Sequence, residues 1–525
     1  MGSILIGGLV GLAATYVFFR ALLHFTQAEN EPPAVSTSLP FIGPIIAMAR
    51  QKSRFHTHLR DKLGFPIYTL RLPGSRMYVV SSPRLIPAVQ KLYKTISFAA
   101  IEAATVANIF LVSKKGYKVI AHGLMEDSSY TGTFAAAIHP ALKPGANLDH
   151  MNRVAARHIA ASLDELQAGG GKETNLFEWV RDEIILATSD AVYGPHNPFR
   201  DPEVLQSWYE FEPQIMMFAI GLFPRLLARK AFKARQRLTD AFMKYMKARQ
   251  HEQGSALVQA RYQHSSSFGI TPEDIAGVEV GGAFAVLGST APACFWLIYH
   301  LFSDPVVLEE CRAEVLALVH DHQGISSIDV TSIKSKCPIL LSTLQEVLRF
   351  RHISVSARVV LQDEKSLDGR YQLKKGSTLM IPVTVMHSDP ESWGQTASVF
   401  DHRRFLSTGS NQDTPAAKGG TAKPIPRTAY RPFGGGHVLC PGRHFATTEI
   451  LAFAALVVLR FDINPVAGGK WKDATIENSS LVAALPTPDD PIRVKISPRE
   501  QSRAWRVELV ESDYAVAIAS EDISN

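Results

Sequence analysis

An uncharged apolar run opens the chain. Residues 4–19 read ILIGGLVGLAATYVFF, and Arg20 is followed by Ala21, Leu22 and Leu23. With Arg20 reaching outward along its aliphatic stem, the segment approaches the ~20 residues that span a bilayer. A cleaved signal peptide is the rival reading, but Met1-Gly2-Ser3 lacks the basic residues such a leader wants. Pro32, Pro33, Pro40 and Pro44 then mark a stiff connector. Strand patterning at 67–72 and 77–80 flanks Pro73-Gly74 and predicts strand, turn, strand. Similar material returns at 358–361 and 377–382, enough for one small sheet. Helical periodicity covers 148–167, 176–191, 231–251, 271–302, 305–319 and 340–350. The expected fold is mostly α with a small β region. The expected division is an anchor at 1–25, a proline-rich hinge at 26–45 and one large domain at 46–525. Residues 411–427, rich in Pro, Gly, Ala and Lys, read as an exposed loop.

Composition narrows the setting. Apolar residues make up 46% of the 525, which supports a large core. Cys294, Cys311, Cys337 and Cys440 show no paired spacing, which argues for a reducing compartment. The 55 basic and 49 acidic residues leave a net charge of +6. That suits a solvated basic surface, a membrane surface or an acidic partner. No basic run is interleaved with aromatics, so nucleic acid is not an expected partner. Arg20, Arg50 and Lys52 follow the apolar run and place the remainder on the cytosolic side.

The chemistry concentrates in Arg431-Pro-Phe-Gly-Gly-Gly-His-Val-Leu-Cys-Pro-Gly-Arg-His444. Gly434, Gly435 and Gly436 allow positive φ and close approach. Cys440 is expected at a helix start, with Pro441 at the first helical position. The helix dipole and free N–H groups there favour a thiolate, hence a metal ligand. Glu346 and Arg349 sit three apart on one face of an apolar helix, where a buried pair must be satisfied. Thr271-Pro-Glu-Asp caps a long central helix. It carries Pro292, which removes the partner of the Gly288 carbonyl and should kink the helix. Gly288 should open a groove at that turn, or simply thin the helix for packing. Residues 211–225 read either as packed core helices or as an apolar lid dipping into a membrane interface.

The order Phe433…Gly436…Cys440-Pro-Gly442 resembles the haem loop of the cytochrome P-450 family, microsomal type. The resemblance runs from anchor to Cys loop in family order. It implies the P-450 fold, a single catalytic domain behind an N-terminal transmembrane helix, and haem b with Cys440 as axial ligand. Phe433, Gly434 and Gly436 would line the cofactor. Val438 stands where a basic residue usually holds a propionate, and His437, one residue off, is the candidate substitute. Arg358 resembles the strand arginine that pairs with a propionate. Arg404, in Phe400-Asp-His-Arg-Arg-Phe405, resembles the second arginine on Glu346. On the central helix Gly288 takes the usual acid position, with Ser289 and then Thr290 as the alcohols. The run Ser289-Thr-Ala-Pro292 is most similar to the subgroup holding prostacyclin synthase and the bile-acid-type sterol hydroxylases.

The implied activity is monooxygenation of an apolar small molecule, steroid- or terpenoid-like. Electrons would come from an NADPH-dependent flavoprotein reductase, since no flavin or dinucleotide fingerprint appears here. The flank Arg443-His444 would face it. The implied location is the endoplasmic reticulum membrane, single-pass, with the domain cytosolic. A haem-thiolate isomerase or dehydratase acting on a peroxide is the alternative, favoured by the missing acid at Gly288. A membrane-tethered haem sensor is the third.

Overall fold

The computed structural model describes residues 2–35, 37–221, 223–406, 426–466, 468–479, 484–510, 518–519 and 522. Most of the expected loop at 411–427 lies outside them. Helix Gly2–Phe25 is 24 residues long, and none of its apolar stretch from Leu5 on is buried against the rest of the chain. An isolated helix so apolar on every side has no stable place in water.

The sheet assembles from three separate parts of the chain. Strands Ile67–Leu72, Ser75–Val80, Thr378–Pro382, Val355–Val360 and Ile96–Ser97 lie side by side in that order. The first two pair antiparallel across Pro73-Gly74, where Gly74 takes φ +69°. Thr378–Pro382 then runs parallel to Ser75–Val80 and antiparallel to Val355–Val360, with Leu379 opposite Arg358.

The proline connector is docked on this sheet from its start. The Val35 N–H donates to the Thr69 carbonyl at 2.9 Å, and the Thr69 N–H to the Pro33 carbonyl at 2.8 Å. Glu31 is buried beneath it. Tyr78 donates to its carboxylate at 2.7 Å, with Arg76 and Lys374 each at 3.1 Å. Burial opposes the charge on Glu31. The Ala28 N–H, Tyr78, Lys374 and Arg76 outweigh it and hold the carboxyl below its usual value.

The predicted helices form as Ala146–Ala168, Leu176–Tyr193, Arg229–Lys247, Pro305–Leu316 and Pro338–Phe350. They share one large core with Arg443–Arg460, a helix buried on all sides. The central element is two helices, Pro272–Leu287 and Thr290–Ser303. Thr271 caps the first by accepting from the Asp274 N–H. A buried ion pair, Arg261 with Glu279, fixes that helix to its neighbours, and Tyr193 donates to the same carboxylate at 3.0 Å. Helices Ala99–Ile109, Tyr130–Leu142 and Ala256–Ser267 are additions to the sequence expectation.

Candidate active site

The Cys loop is shaped by glycines in the left-handed region of the backbone. Gly434 has φ +80°, and a Cβ there would meet the Val438 carbonyl oxygen at 2.7 Å. Gly436 has φ +60°, with the Gln90 amide 2.8 Å from the same point. The Cys440 N–H donates to the Phe433 carbonyl at 2.8 Å and closes the loop. Phe433 itself packs against the main core.

The helix that follows begins at Arg443, not at Pro441. The reason is local. The N–H groups of Gly442 and Arg443 turn to the Cys440 sulfur. The sulfur thus does for this helix what a capping oxygen does elsewhere. Burial pushes the Cys440 thiol up, against those two N–H groups and the Arg443 charge. Cys294, Cys311 and Cys337 are fully buried, whereas Cys440 keeps accessible surface.

His437 is exposed and stacked on Tyr93, with ring centroids 3.6 Å apart. Arg358 is buried and donates to Ser356 Oγ at 3.0 Å. Among the described residues no carboxylate pairs with it. Burial and the nearby Arg431 charge push its guanidinium down to about 10. Arg431 is the residue that sequence reasoning missed. It opens the Cys motif, is itself buried, and donates its N–H to His387 Nε2 at 2.9 Å. Its place directly before Pro432-Phe433 was the available signal.

Glu346, Arg349 and Arg404 are brought together as one lattice. Arg349 donates to both Glu346 oxygens at 2.7 Å, and Arg404 Nε to one of them at 3.1 Å. Asp401 adds a backbone N–H at 3.0 Å. The spare arginine donors reach the carbonyls of His387, Ala397 and Val399. His402 and Arg403 turn away, to Glu310.

The central helix breaks at Gly288-Ser289, four residues before Pro292. Thr290 donates its hydroxyl to the Val286 carbonyl at 3.0 Å. Among the described residues the half-buried Ser289 hydroxyl has no partner. Gly288 opens no groove on the side of Phe284. A Cβ there would lie 3.0 Å from the Phe284 carbonyl and 3.1 Å from its ring. Phe284, one turn back on the same face, fills the space an acid would need.

Residues 211–225 divide between the two readings. Phe211, Ile215 and Phe218 are buried, whereas Phe223, Leu226 and Leu227 are 61–73% exposed. Arg225, Arg229, Lys230 and Lys233 surround that apolar tip in sequence. The Arg443-His444 flank presents no free charge for a partner. Arg443 is tied to Asp522 at 2.6 Å, and His444 is buried. Burial and the Arg443 charge push the His444 imidazole down to about 4.

Comparison with known proteins agrees with this arrangement. The family model "Cytochrome P450" matches residues 33–495. Cytochrome P450 monooxygenase nodJ of Hypoxylon pulicicidum is 34% identical over 514 residues, covering 96% of this chain and 97% of that protein. Human prostacyclin synthase is 24% identical, covering 93% of this chain and 98% of its own. The solved structure of retinoic acid bound cyanobacterial CYP120A1 is 20% identical. It superposes with a TM-score of 0.65 over 89% of this chain and 99% of that one. A match of that extent, on a fold and a Cys loop of this form, places the chain in the cytochrome P450 family as a monooxygenase.

Proposed function

We propose that this protein is a membrane-anchored haem-thiolate monooxygenase with Cys440 as the iron ligand. Family and fold imply haem ligated by a cysteine thiolate. The observation that supports Cys440 is its sulfur, cradled by two backbone N–H groups at the start of helix Arg443–Arg460, in the one cysteine of the four that is not fully buried. Phe433 and Gly434 line the cofactor beside it. Arg358, buried without a carboxylate, takes a propionate, and Arg431 adds positive charge next to it. Gly436 shapes the loop, and the exposed His437 has at most an outer contact with the group. The Glu346–Arg349–Arg404 lattice holds the loop's floor and does no chemistry.

Bound haem supplies oxygen activation and insertion into a substrate C–H bond. The chain supplies an apolar pocket, exclusion of water and a proton path. Ser289 is the candidate for that path, since its hydroxyl is unengaged while that of Thr290 is committed to Val286. Electrons come from a separate NADPH-dependent flavoprotein reductase. The substrate is apolar, a steroid- or terpenoid-like secondary metabolite. Helix Gly2–Phe25 anchors the chain in the endoplasmic reticulum membrane with the domain cytosolic, and the Phe223–Leu227 tip rests on the same bilayer.

The test is turnover of candidate polycycles under ¹⁸O₂, with and without NADPH and reductase. Monooxygenation predicts one ¹⁸O in the product, and no product without reductase. The acid position at Gly288, closed by Phe284, favours the isomerase or dehydratase as second reading. Turnover of a peroxide substrate without reductase would install it.

A further inference from the structure

Arg443 touches Cys440 in two ways. Its backbone N–H turns to the sulfur, and its Nη1 donates to the Cys440 carbonyl at 3.2 Å. It is also the first residue of helix Arg443–Arg460, where the helix dipole disfavours a cation. Only 15% of its side chain is exposed. A guanidinium so placed needs a counter-charge, and the first turn of its own helix holds no acid.

The counter-charge comes from far along the sequence. Asp522, 79 positions on, accepts from Arg443 Nη2 at 2.6 Å and from its Nε at 3.0 Å. The carboxylate is held in turn by its neighbours. The Ile518 and Ala519 N–H groups donate to it at 3.1 and 3.0 Å, and the Asp522 N–H donates to the Ala519 carbonyl at 3.0 Å. Ile518 and Ala519 are themselves buried, so these residues are docked against the body of the protein. Among the described residues no other carboxylate lies within ion-pair distance of Arg443. His444 Nε2 is 3.9 Å from the same carboxylate, but burial and the Arg443 charge keep that ring neutral. A fixed positive charge beside a metal ligand favours the centre that has gained an electron, and a bonded carboxylate cancels most of that effect.

We propose that Asp522 is a positioning residue for the haem-thiolate centre: it holds Arg443 on the Cys440 carbonyl and cancels its charge, which keeps the ligand electron-rich and the reduction potential low. This rests on the haem-thiolate reading above and adds to it a control exerted from a residue far outside the Cys motif.

The test uses the full-length, haem-loaded protein in detergent, without substrate. Its ferrous–CO band is recorded first; absence of the thiolate band removes the haem reading and this inference with it. Redox titration with mediator dyes then gives the midpoint potential of each variant. Asp522→Asn leaves Arg443 unmatched and should shift the reduction equilibrium about tenfold toward the reduced form, ~59 mV upward for one electron. Arg443→Gln leaves the carboxylate unmatched and should shift the midpoint downward. The double variant, which removes both charges, and Asp522→Glu, which keeps both, should lie close to the wild type. A merely structural aspartate would change haem content or melting temperature without moving the midpoint of the loaded fraction. An unchanged or lowered midpoint in Asp522→Asn overturns the assignment, and so does a shift of the same sign in Arg443→Gln. If Asp522→Asn retains no haem, the double variant decides: a loaded protein with the wild-type midpoint upholds the pairing, and continued loss of haem overturns it.

Discussion

Around Glu346 every charge is met. Two guanidinium groups and a backbone N–H converge on one carboxylate, and the arginines' remaining donors end on carbonyls. Around Gly288 the opposite holds. A carbonyl loses its helical partner to Pro292, a hydroxyl is left unengaged, and a phenyl ring fills the gap. The first region is finished without any ligand; the second leaves polar groups open. On the function proposed above, the first region supports the cofactor and the second meets a particular substrate.

The sharpest break of this comparison is at the cysteine. Cys440→Ala should abolish the red-shifted ferrous–CO Soret band completely, whereas Cys294→Ala, Cys311→Ala and Cys337→Ala should retain it. Retention in Cys440→Ala would move the metal elsewhere. Next comes the lattice. Glu346→Ala strands two buried guanidinium groups, at a cost of about 3–5 kcal/mol. Haem absorbance per protein should collapse, and the melting temperature with it; normal values for both would show the lattice to be dispensable. Gly288→Ala drives a methyl group into Phe284 and should cost about 1–3 kcal/mol by urea unfolding. An unchanged midpoint would mean that the ring yields freely. The smallest effect is the most diagnostic. Ser289→Ala should keep substrate binding but divert NADPH electrons to hydrogen peroxide, by less than ~10²-fold. Thr290→Ala should do less, because its hydroxyl is already spent on Val286. Equal coupling in both variants and in the wild type would end the hydroxyl relay.

The finished region was the legible one. Glu346 and Arg349 lie on one helical turn, and Phe433 to Cys440 is one loop, so short spacing carries the geometry. The sequence expectation of free N–H groups beside Cys440 did not extend to their effect on the helix, which starts at Arg443 because the Gly442 and Arg443 N–H groups turn to the sulfur. Arg431 escaped notice because a buried arginine looks like an exposed one in a string of letters. At Gly288 the side toward Phe284 is filled, because Phe284 stands at i−4 on the same face. Helix Ala99–Ile109 has no apolar stripe to find. The tie between Arg443 and Asp522 joins positions too far apart for any local pattern to reveal.

Glu31 has a consequence for how this protein can be cut. It lies six positions beyond Phe25, the last residue of the N-terminal helix, and the chain between them is already held: Arg71 and Arg76 donate to Thr26 at 2.6 and 2.9 Å. The hold continues along the connector: Glu31 is clamped by Tyr78, Arg76 and Lys374, and Pro33 and Val35 are bonded to the sheet. On the membrane reading proposed above, helix Gly2–Phe25 acts less like a leash than like a keel, setting which way the body faces as well as where it stays. Trimming to residue 26 discards the keel and leaves the hull sound. Trimming to residue 36 also removes the bolt, exposing Tyr78 and two unpaired cations on a sheet that was built around them.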